Sequence, residues 1–130
     1  MTARFCTHLM FDGSARQAME FYVSLFPGSE IIMSIPYEEG DLAGKLQQGR
    51  FTLGGHDFIC IDSPVPQDFT FTPSMSIFVE FDSRTELERV FKKLAEDGKE
   101  LMPLDNYGFS ELFGWVADRF GVSWQLNLTE

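Results

Sequence analysis

One stretch of this chain is written twice, and that duplication limits the folds open to it more than any other feature. In Phe5–Gly28 and Met75–Gly98, residues Phe5, Leu9, Phe11, Asp12 and Gly28 answer to Met75, Val79, Phe81, Asp82 and Gly98 at an offset of 70. Inside the helical part the offset falls to 69, with Ser14, Ala18, Tyr22 and Leu25 answering to Ser83, Leu87, Phe91 and Leu94. Gly13 makes the difference, having no counterpart before Ser83. Each copy reads as a strand, a tight turn, a capped helix and a glycine stop, and these signals agree with one another.

The strands show period-two patterning. Phe5–Phe11 places Phe5, Thr7, Leu9 and Phe11 on one face and Cys6, His8 and Met10 on the other. The fifth strand repeats this, with Met75, Ile77, Val79 and Phe81 against Ser76, Phe78 and Glu80. The apolar face is expected to meet a helix, and the mixed face to look into a space that tolerates polarity. Ser14-x-x-Gln17 and Ser83-x-x-Glu86 both read as capping boxes. The apolar stripes are Ala18, Phe21, Tyr22 and Leu25 in the first helix, and Leu87, Val90, Phe91 and Leu94 in the second.

After each helix the pattern gives three short strands: 30–37, 49–53 and 57–62, then 100–103, 112–118 and 122–128. Gly54-Gly55 and Asp118-Arg119-Phe120-Gly121 are the hairpin turns. The last strands echo as well, Gly55, Phe58 and Cys60 answering to Gly121, Trp124 and Leu126. The expected class is α+β: two βαβββ modules forming a curved, half-barrel-like mixed sheet with the helices on its convex side. One domain over 1–130 is expected, with modules at 1–62 and 74–130 and a proline-rich connector at 63–73.

Composition excludes several partners. The net charge of −10 leaves no basic patch for the phosphates of a nucleic acid or an anionic membrane. It is compatible with a cationic ligand, although most acidic proteins are merely soluble. No apolar run reaches transmembrane length and no signal peptide is recognised. Cys6 and Cys60 form no Cys-x-x-Cys pair and fall in apolar strands, so both read as reduced, buried thiols of a cytoplasmic protein.

At the last strand, Ser123, Gln125 and Asn127 project to the side opposite Val122, Trp124, Leu126 and Leu128. An inward polar row is costly unless a ligand, water or its own members satisfy it. With Cys6, His8, Ser76 and Phe78 these three make up the candidate ligand site. A solvated sheet face is the plainer alternative. His8 has the imidazole of a general acid or base but no carboxylate assigned beside it. Phe69, Phe71, Tyr107, Phe109, Phe113 and Trp115 are aromatic enough to rim a pocket, with core or dimer packing as the alternative.

Several motifs together resemble the vicinal oxygen chelate superfamily (the glyoxalase/bleomycin-resistance/dioxygenase fold), and within it the PhnB-like branch. That branch is known by its 3-demethylubiquinone-9 3-methyltransferase domain. The motifs are Leu9-Met10-Phe11-Asp12-Gly13, Ala18-Met19-Glu20-Phe21-Tyr22, Leu25-Phe26-Pro27-Gly28-Ser29-Glu30-Ile31 and Cys60-Ile61-Asp62-Ser63. Phe69-Thr70-Phe71-Thr72-Pro73 and Asp118 through Leu126 complete the set. The resemblance implies a homodimer that binds a small organic molecule. Metal-dependent relatives hold a divalent ion with His and Glu side chains from the first, fifth and last strands. Here those positions fall on Cys6 or His8, on Ser74 or Ser76, and on Gln125, so no metal and no cofactor are expected. The leading expectation is a metal-free binding protein that sequesters an organic ligand. The alternative is an enzyme, either methyltransferase-like as the family name implies or a metal-dependent lyase or dioxygenase. No Gly-rich strand-to-helix loop supports the methyltransferase reading.

Overall fold

The computed structural model describes residues 2–129. The elements run β1 (Thr7–Phe11), α1 (Ala15–Leu25), β2 (Glu30–Pro36), β3 (Leu46–Leu53) and β4 (His56–Asp62), then β5 (Ser76–Phe81), α2 (Arg84–Ala95), β6 (Lys99–Asp105), β7 (Phe113–Ala117) and β8 (Ser123–Leu128). They form two compact units, one ending at Asp68 and the other beginning at Phe69. Each unit is a βαβββ module with one four-stranded mixed sheet, in the orders β1-β4-β3-β2 and β5-β8-β7-β6.

Strand register carries the internal repeat into three dimensions. β1 pairs in parallel with β4 through Thr7–Phe58 and Leu9–Cys60. β5 pairs in parallel with β8 through Ile77–Trp124 and Val79–Leu126, which are the positions the sequence echo equates. A parallel neighbour needs a crossover, and in each unit the helix and the two intervening strands supply it.

The helix in each unit covers one sheet face. In the first, Ala15, Ala18, Met19, Tyr22 and Leu25 of α1 are buried. The Tyr22 ring lies 6.4 Å from Phe51, and Met19 Sδ lies 3.8 Å from Cys60 Sγ. Met19 therefore belongs to the stripe, whereas Phe21 is only half-buried at its edge. The second helix buries Leu87, Val90, Phe91 and Leu94, as its periodicity requires. Opposite them Val122, Trp124 and Leu126 are buried. Removing a fully covered residue of this kind from water contributes about 1.5–3 kcal/mol.

The two helix starts are built differently. Ser83 accepts a hydrogen bond from the Glu86 amide at 3.3 Å, an ordinary N-cap. Ser14 was expected to do the same, but its side chain makes no cap bond. The carboxylate of Asp62, at the end of β4, takes its place. Its Oδ1 accepts from Gly13 N at 2.8 Å and Ala15 N at 3.0 Å. Its Oδ2 accepts from Leu46 N at 2.9 Å, which ties the start of β3 to the same point. Asp62 sits beside Phe11 in the β1–β4 ladder, and the equivalent position beside Phe81 is Leu128, which has no carboxylate. Gly13, the residue absent from the second copy, has φ +104 and turns its amide toward Asp62.

The glycine stops also differ in cause. Gly28 has φ +74, where a Cβ is disfavoured. Gly98 does not. Its place in the left-handed region is taken by Asp97, at φ 57. Gly98 is required instead by close approach, because a Cβ there would lie 2.4 Å from the Ala117 carbonyl oxygen.

The start of the first strand needs correction. β1 begins at Thr7, Phe5 is 87% exposed, and Cys6 is an exposed thiol rather than a buried one. Residues 5 and 6 precede the β1–β4 ladder, which opens at Thr7–Phe58, so no neighbouring strand covers them. No helix is long and apolar enough to cross a membrane among the described residues.

Candidate functional site

On the face of the second sheet away from α2, the register stacks two rows of interest. One runs Phe78, Gln125, Trp115 and Met102 across β5, β8, β7 and β6; the next runs Glu80, Asn127, Phe113 and Asp105. Ser76 stands beside Ser123 at the end of the first pair of strands. Five of the seven expected site residues, Ser76, Phe78, Ser123, Gln125 and Asn127, thus share one surface. Cys6 and His8 belong to the first unit. His8 is exposed on the side of the first sheet away from α1, beside Ile59, and no hydrogen bond or ion pair joins it to another described residue. His56 shares a 3.0 Å hydrogen bond with Thr7 Oγ1 and rests edge-on against Phe58.

The polar groups of the second sheet form a directed chain. Trp115 Nε1–H has no acceptor role and donates to Ser123 Oγ at 2.8 Å. The Ser123 and Ser76 hydroxyls lie 2.6 Å apart. Gln125 Nε2 donates to Ser76 Oγ at 3.1 Å, and Ser76 in turn faces the Pro73 carbonyl at 3.5 Å. With a donor entering from each end, the arrangement that satisfies every hydroxyl has Ser123 donating to Ser76 and Ser76 donating to Pro73. Gln125 gives its amide nitrogen to Ser76, which leaves its carbonyl oxygen with no hydrogen bond from another described residue. The Asn127 Oδ1 is buried and has no partner among the described residues.

Around these groups stands an aromatic cluster. The Phe113 ring is 5.0 Å from Phe109, 6.2 Å from Tyr107 and 6.4 Å from Phe78. Tyr107 is anchored through its hydroxyl, which donates to the Pro103 carbonyl at 2.6 Å. Phe113 is buried beneath the others, while Phe78 and Phe109 are 54% and 66% exposed. Sequence patterning found these rings but not the donor role of Trp115. The signal that points to it is the Asp118–Gly121 turn, which fixes the β7–β8 register and sets Trp115 opposite Gln125.

The first sheet has no such row. By the echo between β4 and β8, the places of Gln125 and Asn127 are taken there by Ile59 and Ile61. Its notable ionisable group is Cys60, fully buried on the helix side. Burial first, and the neighbouring Asp62 charge second, push its thiol from 9.0 up to about 12. Cys60 is therefore expected to stay silent toward a thiol reagent at pH 8 in the folded protein, while exposed Cys6 reacts at once. Counting one fast thiol before denaturation and two after it checks this; two fast thiols in the native protein would refute it. Because the folded-state pKa is the higher one, stability contributed by this thiol is complete below pH 9 and falls as pH rises toward 12.

A profile of the family described as 3-demethylubiquinone-9 3-methyltransferase matches residues 3–127. The chain belongs to that family. Among solved structures it is similar to a PhnB protein of Bacillus cereus, with 49% identity, a TM-score of 0.95, and 98% and 100% of the two chains covered. Protein PA1353 of Pseudomonas aeruginosa shows 29% identity and a TM-score of 0.85 over 98% of each chain. The fosfomycin resistance protein FosX of Listeria monocytogenes, solved with Mn(II) and sulfate, shares the fold at 12% identity, a TM-score of 0.62, and 100% and 94% coverage. No curated protein matches. This PhnB-like chain therefore has the glyoxalase/bleomycin-resistance fold of the vicinal oxygen chelate superfamily.

FosX was solved with Mn(II), and the donor set of the PhnB-like chain bears on whether a divalent ion fits here. On the face of the second sheet away from α2 it consists of two serine hydroxyls, two amides and the carboxylates of Glu80 and Asp105, which stand at opposite ends of a four-strand row, with Ser76, Ser123 and the Gln125 nitrogen already hydrogen-bonded to one another. No group of three or more His, Cys, Asp and Glu side chains suited to a metal occurs among the described residues. A catalytic divalent site needs three or four anionic or imidazole donors converging on one point, and this set does not fit it.

Proposed function

We propose that this protein is a metal-free binder of a small organic molecule, seated on the open face of the second sheet. The observation that carries the reading is the committed Gln125 amide. Where the resemblance places a carboxylate in metal-binding relatives, this chain has a neutral side chain whose nitrogen is held by Ser76 and whose oxygen remains as an acceptor. Phe78 and the rings around Phe113 supply apolar contact, and Ser123 and Trp115 hold the polar row in place. His8 and Cys6 remain candidates on the first unit, and pairing of two copies in the cytoplasm belongs to the same proposal.

Native mass spectrometry of the purified protein tests it directly. The expected spectrum shows the apoprotein mass or an organic adduct, and no retained ion after incubation with equimolar Mn(II) or Zn(II). A stoichiometric divalent metal would overturn the metal-free reading. The family description favours a second reading, methyl transfer. A saturable calorimetric signal with S-adenosylmethionine would establish it in place of simple binding.

A further inference from the structure

Resting on that reading of the site, we infer that the ligand is a planar organic cation bearing N–H donors, of the amidinium or protonated aromatic amine kind. Three observations on the second sheet point the same way. The first is the cross-strand row itself: Glu80, Asn127, Phe113 and Asp105 lie side by side across four strands, so two carboxylates bracket one aromatic ring. Both carboxylate residues are exposed, and neither forms an ion pair with another described residue. The sheet's own cation, Lys99, lies at the far end, beside Ala117. The second is the aromatic surface. Phe78 and Phe109 flank Phe113 with more than half of each side chain exposed, offering ring faces to a flat group. A cation over such faces is attracted by the ring quadrupole, and a guanidinium-like or amidinium group also stacks.

The third observation is a shortage of donors. The Gln125 amide nitrogen is held by Ser76, and no described residue donates to its carbonyl oxygen. Two residues along the same strand, Asn127 Oδ1 is shut off from water and receives no hydrogen bond. Reversing the Asn127 amide would place its nitrogen there instead, equally unpaired. Of the two, the Gln125 oxygen is the acceptor for a ligand N–H, while Asn127 Oδ1 lies beneath the surface and joins in only where a neighbouring side chain moves aside. Acceptors, carboxylates and ring faces on one surface, without a neighbouring cation, repel an anion and give a neutral molecule only part of what is offered.

Four small probes separate these contributions: benzamidinium, benzamide, benzoate and phenyltrimethylammonium. Binding is followed by titrating the isotope-labelled full chain and reading the Trp115 indole and the Gln125 and Asn127 side-chain amide signals. Benzamidinium is expected to bind at least about ten-fold more tightly than benzamide, and benzoate more weakly than either. Phenyltrimethylammonium, a cation without N–H groups, should fall between benzamidinium and benzamide. Glu80→Gln should weaken benzamidinium about three- to ten-fold and benzamide by less. If benzamide or benzoate binds as tightly as benzamidinium, the cation inference is wrong while the site survives. Equal binding of the two cations removes the role of the amide acceptors. If no probe moves these signals at millimolar concentration, the site reading and this inference fall together.

Discussion

Asp62→Ala is expected to lower stability by about 3–5 kcal/mol, the largest single-residue effect anticipated here. The side chain is 1% exposed, and its two oxygens accept from three backbone amides: Gly13 and Ala15 at the start of α1, and Leu46 at the start of β3. Alanine leaves those donors buried or half-buried without partners. It also withdraws a negative charge from a helix N-terminus, where the helix dipole favours it. In a domain of this size the loss corresponds to a fall in Tm of roughly 10–20 °C. Asp62→Asn should cost about half as much, because its NH2 group meets the Leu46 N–H donor to donor. Ser14→Ala, at the residue sequence patterning favours as the cap, should change stability by no more than about 0.5 kcal/mol. Urea denaturation of the three variants decides the matter, and a Ser14→Ala loss equal to that of Asp62→Ala would show the cap to be misassigned.

Gly98→Ala comes second, at about 3 kcal/mol, the upper end of what over-packing costs. Its Cβ would stand 2.4 Å from Ala117 O, 3.0 Å from Leu94 O and 3.1 Å from the Asp118 Cα. All three are backbone atoms, so no side chain can rotate away, and the end of α2 must part from β7. Asp118 can yield little. Its carboxylate accepts from the amides of Phe120 and Val122 and from the Trp124 indole, which fixes the β7–β8 turn. The matching change in the first unit, Gly28→Ala, meets nothing within 4 Å and costs only the left-handed backbone penalty, about 1–2 kcal/mol. Denaturation midpoints of the two variants distinguish the mechanisms. Equal losses would mean that Gly98, like Gly28, is needed for its conformation and not for its proximity.

Both effects arise from residues that lie beyond the reach of local sequence patterns. Ser14-x-x-Gln17 and Ser83-x-x-Glu86 look alike on paper, yet only Ser83 caps its helix. Asp62 is 47 residues from Ala15, and its role depends on β4 pairing with β1, which no local pattern encodes. In the same way Gly28 and Gly98 occupy equivalent places for unrelated reasons, a dihedral in one case and a carbonyl oxygen on another strand in the other.

The candidate site divides along the same line. Alternation in β8 was enough to set Ser123, Gln125 and Asn127 opposite Trp124 and Leu126, because side chains in a strand point to opposite faces by geometry alone. It could not say which atom of Gln125 is left without a partner. That depends on Ser76, which arrives from β5 and accepts from the Gln125 amide nitrogen.

The amino-acid sequence by itself determined the duplicated strand–helix–three-strand plan, the helix faces that are buried and the polar face of the last strand. All of these depend on periodicity and on residues close together in the chain. Tertiary structure alone decided which carboxylate closes the first helix, which glycine is held by proximity, and how the amide of Gln125 is turned. Each of those rests on an atom brought from a distant strand, and a hydrogen bond or a steric contact forms between atoms that meet in space, however far apart their residues lie along the backbone.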